Sequence, residues 1–159
     1  MGNGGGAYLG SGVLSNTIIV MSTASNDGGG VYWLGGSAGF NDVWNNNCLG
    51  PGCGADYAAA GIPRPPSDIV APPRFIASGD LVTRFHLRQG SPCIDAGTSA
   101  GRAPDHDFDL QPRPLGAGHD IGFDEVQPFT ADKQVSAATA AIGDPLIYTL
   151  HIVNPDPTA

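Results

Sequence analysis

Asp105-His106-Asp107-Phe108-Asp109 sets three carboxylates at alternate positions of a polar stretch. Calcium-binding loops use that spacing to surround a hard cation with oxygen. Asp105, Asp107 and Asp109 are therefore the candidate calcium ligands, with Asp120, Asp124 and Glu125 able to approach from farther along the chain. The stretch departs from an EF-hand loop, which continues with glycine and closes on a distant Glu; Leu110 stands at the glycine position. The competing reading is an exposed loop of Asx-turns whose carboxylates stay in water. Cys48 and Cys53 bracket Leu-Gly-Pro-Gly, a turn able to bring their β-carbons together, whereas Cys93 stands alone in Ser-Pro-Cys-Ile-Asp. Three buried thiols are the alternative. A zinc site on these cysteines is disfavoured, because the fourth ligand and a Cys-x-x-Cys spacing are missing.

The histidines give no catalytic set. His86 sits in the alternating run Phe85-His86-Leu87 and reads as an outward strand residue. His151 alternates out of phase with Tyr148, Leu150 and Ile152 and reads as surface, while His106 and His119 fall in loops. No Ser-His-Asp or Cys-His arrangement emerges, so catalysis is not expected within these residues.

The elements that must hold these groups are short. Glycine (24) and proline (14) are abundant in the 159 residues, yet 41% of the chain is hydrophobic and the apolar residues fall in short alternating runs, so an extended, turn-rich β-protein is expected rather than disorder or long helices. The net charge is -8, with Lys133 the sole lysine, which leaves no basic patch for nucleic acid or for an anionic membrane surface. No apolar run approaches the roughly 18 residues of a membrane helix. Residues 1–50 carry Asp27 and Asp42 as their charged side chains and no Lys, Arg or His.

Self-comparison finds a repeat. Gly4-Gly5-Gly6-Ala7-Tyr8-Leu9 recurs as Gly28-Gly29-Gly30-Val31-Tyr32-Trp33, and Leu14-Ser15-Asn16-Thr17-Ile18-Ile19-Val20 has a counterpart near Gly39-Phe40-Asn41-Asp42-Val43-Trp44-Asn45. A period in the low twenties suits one coil of a β-solenoid, with strands stacked at about 4.8 Å. Glycines would supply the left-handed corners and asparagines amide ladders between coils. The near absence of charge follows, since like charges stacked at each coil would repel. Tyr8 should lie over Tyr32 in parallel register, and recurrence at the coil period places both tyrosines in the core; outward aromatics would instead suggest sugar stacking.

These repeats resemble those of right-handed parallel β-helix proteins of the pectin-lyase-like superfamily. Asp68–Phe75, Gly79–Leu87, Gly90-Ser91-Pro92-Cys93-Ile94-Asp95-Ala96-Gly97, Pro112-Arg113-Pro114 and Asp120-Ile121-Gly122-Phe123-Asp124-Glu125 follow in an order similar to the C-terminal end of choice-of-anchor Q domain proteins, which are exported and often attached to bacterial surfaces. The likeness covers residues 1–127 and departs at Asp109-Leu110-Gln111, where related sequences carry a glycine after the aspartate. Beyond Pro128, Gln134–Ala137 and Leu146–Asn154 read as two strands of a hairpin around Gly143-Asp144-Pro145, similar to the opening of bacterial Ig-like surface repeats. A complete sandwich needs about 100 residues, so this one is expected to be truncated.

The expected fold is thus all-β: C-terminal coils and cap of a right-handed single-stranded parallel β-helix, with last coils at 1–54, a capping region at 55–127 and a linker plus truncated Ig-like hairpin at 128–159. The short apolar segments Ile69-Val70, Phe75-Ile76 and Leu81–Leu87 are available to cover the end of the stack. The resemblance implies an extracellular or cell-surface protein whose export signal lies upstream, since Met-Gly-Asn-Gly-Gly-Gly lacks the features of one. Export in turn favours a Cys48–Cys53 disulfide, with Cys93 unpaired and buried. Polysaccharide lyases of this fold use acidic residues, often with calcium, and a basic residue; related hydrolases use paired carboxylates. Residues 1–50 hold neither arginine nor neighbouring carboxylates. The expected function is a non-catalytic structural or interaction segment, with polysaccharide or other surface molecules as partners. The alternative is the C-terminal part of a secreted polysaccharide lyase or glycoside hydrolase whose active site lies upstream.

Overall fold

A computed structural model describes residues 3–51, 53–59, 63–76, 79–80, 83–100, 103–127 and 130–153. The protein is all-β; among the described residues the one helical segment is a single 3-10 turn, Thr83–Phe85. No helix among them is long and apolar enough to cross a membrane. By contacts the chain divides into two compact units, Met1–Val126 and Gln127–Ala159.

The first unit opens with four short strands: β1 (Ala7–Leu9), β2 (Val13–Ser15), β3 (Ile18–Val20) and β4 (Thr23–Ala24). Four more repeat them: β5 (Val31–Trp33), β6 (Ser37–Gly39), β7 (Asp42–Trp44) and β8 (Asn47–Cys48). Each strand of the first set pairs in parallel with its counterpart, as in Tyr8↔Tyr32, Leu14↔Ala38, Ile19↔Val43 and Ala24↔Cys48, a constant offset of 24 residues. A ninth strand, β9 (Tyr57–Ala59), adds to the far side of β5 with Val31 opposite Tyr57.

The corners recur at the same interval. Gly4 and Gly28, Gly12 and Gly36, Asn16 and Phe40, and Met21 and Asn45 all have φ between 50° and 95°, in the left-handed region. Glycine and asparagine enter that region at little cost; Met21 and Phe40 do so against their intrinsic preference. The glycine triplets serve a second need, close approach. A β-carbon on Gly29 would lie 2.2 Å from the Asn47 carbonyl oxygen and 2.3 Å from that of Ala55, so no side chain fits. Instead Gly29 and Gly30 donate their N–H groups to Gly54 and Ala55.

Each short strand turns alternate residues inward. Ile19, Val31 and Val43 form a small buried core with Ala7, Leu14, Trp33 and Tyr57 packed against it. Because Ala7 and Leu9 face inward in β1, Tyr8 must face out. Tyr8 is 58% exposed and stacks on Tyr32 at a ring separation of 5.5 Å. The tyrosine ladder exists, but on the outer face rather than in the core.

The described residues between 63 and 126 are mostly irregular, bound by isolated bridges and turns. Ile69 bridges to Asp42 in parallel and Phe75 to Leu87 in antiparallel fashion. Leu87, Cys93, Ile121 and Val126 make a second buried core, against which Ile18 of β3, Ile69 and Phe75 pack. Leu81 and Val82 lie outside the described residues.

The second unit contains an antiparallel pair, β10 (Thr130–Val135) and β11 (Tyr148–Val153), in register from Thr130↔Val153 to Val135↔Tyr148. Its first strand begins four residues before the expected Gln134. Tyr148, Leu150 and Ile152 alternate onto one face and are 56–61% exposed, and Lys133 lies over the Tyr148 ring at 4.4 Å. Pro128 and Asn154, where a linker and a strand end are expected, lie outside the described residues.

Candidate functional site

Polar chemistry gathers in three places within the first unit. The first is a pair of amide clamps at the corners of the stacked strands. Asn41 Oδ1 accepts the Thr17 N–H (3.1 Å), and its Nδ2 donates to the Leu14 carbonyl (3.0 Å) and to Asp68 Oδ1 (3.2 Å). Asn46 repeats the arrangement, with Ser22 N–H (2.9 Å), the Ile19 carbonyl (3.0 Å) and Asp56 Oδ1 (2.9 Å). An amide both donates and accepts, so it joins one layer to the next; a carboxylate accepts only, so Asp56 and Asp68 end the sequence of bonds. Asp68 also accepts from the Tyr57 hydroxyl, and its carbonyl accepts from Arg64. Burial and the Asp68 carboxylate push the Tyr57 hydroxyl well above its ordinary range.

The second is a buried carboxylate network. Arg113 Nε pairs with Glu125 Oε1 at 2.7 Å, both side chains almost fully enclosed. Glu125 Oε1 also accepts the Asp120 N–H, and Arg113 Nη2 donates to the Asp120 carbonyl. Asp120 accepts N–H groups from Asp95 and Val126, both at 2.7 Å. Burial nevertheless pushes its carboxyl up to about 7, with the Glu125 and Asp95 charges adding to the rise. Nearby, Cys93 is free and buried, with its thiol 3.3 Å from Asp42 Oδ2. Burial first, then that carboxylate, holds the thiol far above its usual range, which opposes nucleophilic use.

The third is centred on His86, which lies at the end of the 3-10 turn rather than on a strand. It is 4% exposed, against the outward position expected from Phe85-His86-Leu87. A 3-10 turn does not send alternate side chains to opposite faces, so the period-2 argument fails there. His86 Nε2 is 3.3 Å from Asp109 Oδ2, and Nδ1 is 3.5 Å from Asp124 Oδ1. Its ring and that of Phe123 meet in a T-shaped arrangement, with centroids 5.4 Å apart.

The candidate calcium residues are placed differently from one another. Asp107 is buried: its Oδ1 accepts the Asp109 and Gln111 N–H groups and its Oδ2 accepts that of Glu125. Asp105 is exposed, and Asp109 turns toward His86. Among the described residues, the set of three acidic or histidine side chains with ligand atoms within 4.8 Å of one another is His86, Asp109 and Asp124. Asp107, Asp120, Asp124 and Glu125 are all buried, so the solvated-loop alternative does not describe them. The Asx-turn in that reading is present at Asp107.

Cys48 and Cys53 are disulfide-bonded, with their α-carbons 6.1 Å apart. A cavity of about 760 Å³ is lined by Ile18, Ile19, Phe75, Phe85 and Phe123 among others and, among the described residues, by no titratable side chain. A second, of about 950 Å³, is bordered by His106, Asp107 and Arg113, the last two already engaged as described. No family model, curated protein or solved structure matches the chain.

Proposed function

We propose that the first unit is a right-handed parallel β-helix closed by its C-terminal region, similar to the end of choice-of-anchor Q proteins, and that the β10–β11 pair opens an Ig-like repeat. On this reading the chain is a structural and interaction segment of an exported, cell-surface protein and performs no reaction itself. The observation that carries it is the stack of parallel strands whose four corners all recur at 24 residues. Such a stack gives a rigid rod whose length grows by layers. The disulfide suits an oxidising compartment. Attaching the chain between an export signal and a surface anchor tests it. The displayed protein should carry one free thiol and withstand protease as a single resistant unit over residues 3–126. Rapid cleavage within the stack, or three free thiols, would count against it.

A second reading is supported by the outer tyrosine stack: the parent is a secreted lyase or hydrolase, and this segment helps hold its polysaccharide. Tyr8 and Tyr32 offer parallel aromatic faces, a surface suited to sugar rings. Titration with uronate oligosaccharides tests it. Binding that Tyr8→Ala abolishes supports this reading, and absence of binding removes it.

A further inference from the structure

Among the described residues, one buried side-chain nitrogen or oxygen has no hydrogen-bond partner: His86 Nε2. It is not distant from an acceptor, since Asp109 Oδ2 lies at 3.3 Å. The contact is close but misaligned, and two chemical situations leave different signatures there. A proton shared by nitrogen and oxygen lies near the line between them. A metal ion shared by the two lies off that line, at the apex of a triangle. With bonds of about 2.0–2.1 Å and tetrahedral angles, the ligand atoms stand about 3.3–3.4 Å apart and the oxygen about 35° off the nitrogen's axis. His86 and Asp109 match the second description in separation, and the missing hydrogen bond at that distance agrees with an oxygen set off the nitrogen's axis.

The surrounding groups suit the same assignment. Asp124 Oδ2 accepts the Leu87 N–H at 2.8 Å, which turns Oδ1 toward His86 Nδ1. A carboxylate behind the ring favours the proton on Nδ1 and the lone pair on Nε2, the usual way a metal-binding histidine is oriented. The backbone of His86 is held on both sides, by Thr83 and Ile76. Asp109 is set by its own N–H bond to Asp107. The Asp109 side chain is 29% exposed, so an ion can enter from solvent and keep water in its remaining positions.

We propose that His86 Nε2 and Asp109 bind a divalent cation of the zinc class, with Asp124 as the positioning residue that fixes the imidazole. The imidazole ligand argues for a borderline cation rather than calcium, which prefers oxygen throughout. The ion would join the segment after the 3-10 turn to the 105–111 loop, two stretches otherwise without a regular sheet between them. This differs from a calcium site built on Asp105, Asp107 and Asp109, which would leave His86 unengaged.

The test uses the full chain, stripped with chelator and titrated with zinc against a competing chromophoric chelator at neutral pH. Imidazole nitrogen NMR follows the histidines. One equivalent should bind, with the His86 Nε2 resonance shifting and Nδ1 retaining its proton. Asp109→Asn, on the exposed side of the site, should weaken binding at least tenfold, and Asp124→Asn by about 10–100-fold. His151→Ala, on β11, should change nothing. Because a His86 substitution in a buried position can unfold the cap, the wild-type NMR shifts carry the assignment independently of that variant. Zinc that shifts His106, His119 or His151 and leaves His86 unmoved would overturn the proposal. So would full affinity in Asp109→Asn, calcium displacing zinc at equal concentration, or no stoichiometric binding.

Discussion

In the stacked strands, Asn41 and Asn46 tie one layer to the next with neutral amides. In the region that follows, Asp107, Asp120, Asp124 and Glu125 are buried and accept backbone N–H groups, and the enclosed cation Arg113 pairs with Glu125. The contrast follows from what each position must bond. A side chain set between two layers has to donate to one and accept from the other, which an amide does and a carboxylate does not. Where the partners are backbone N–H groups alone, that restriction falls away. The later region can use carboxylates, which bond backbone N–H groups more strongly than amides do.

The largest effect that would sharpen this contrast is expected at Arg113. Arg113→Ala leaves Glu125 charged, buried and without its partner, a loss of about 3–5 kcal/mol in denaturant unfolding. A loss below about 1 kcal/mol would mean that the region after the strands does not depend on its ion pair. In the strands, Asn46→Ala should cost about 1–3 kcal/mol, because the Ser22 N–H and the Ile19 carbonyl each lose a buried partner. Asn46→Asp should be no better, since aspartate cannot donate to Ile19 or to Asp56. Equal stability of Asn46→Asp and wild type would break the distinction between the two regions. Reducing Cys48–Cys53 closes off a smaller contribution, about 2 kcal/mol for so short a loop. Thiol labelling of the unfolded, unreduced protein should find Cys93 alone.

A further effect is expected on pH. Asp120 has its carboxyl raised to about 7 from an ordinary 3.8, so the folded state holds a proton that the unfolded chain releases. That contribution is complete below about pH 4 and is lost as pH rises through 7. Asp42, also raised by burial, acts in the same direction. Unfolding midpoints should therefore be higher at pH 5 than at pH 7.5, and Asp120→Asn should remove part of the difference. A midpoint that rises with pH over that interval would contradict the assignment.

The parallel register was legible because glycine triplets and tyrosines mark it, and the triplets are sterically required where the layers touch. The corners at Asn16, Met21 and Phe40 were not, because Met and Phe carry no signal for a left-handed backbone. The outward direction of Tyr8 was in principle readable from its flanks: Ala7 and Leu9 face inward together, which leaves the residue between them outside. His86 was hidden for a different reason. Its neighbours Asp109 and Asp124 are far along the chain, and the apolar residues on either side suggested a strand where a 3-10 turn ends. The alternating aspartates of 105–109 pointed to a common centre, but backbone N–H groups claim Asp107, and that competition leaves no trace in spacing. On β10, Thr130-Ala131-Asp132-Lys133 lacks the apolar alternation that announces a strand, so its first residues went unread.

Asp68 stands over Asn41, and Asp56 reaches Asn46 from its place beside Gly30; each ends a series of bonds that an amide would extend. In the vocabulary of polymer chemistry, asparagine is a propagating end group and aspartate a chain terminator, differing by one nitrogen for one oxygen. The number of layers in such a stack is then encoded in its end groups rather than in its repeating units. Exchanging both terminators, Asp56→Asn with Asp68→Asn, turns a quenched end into a live one. Light scattering on the concentrated double variant would register its growth, and a strictly monomeric variant would show that termination rests on other groups.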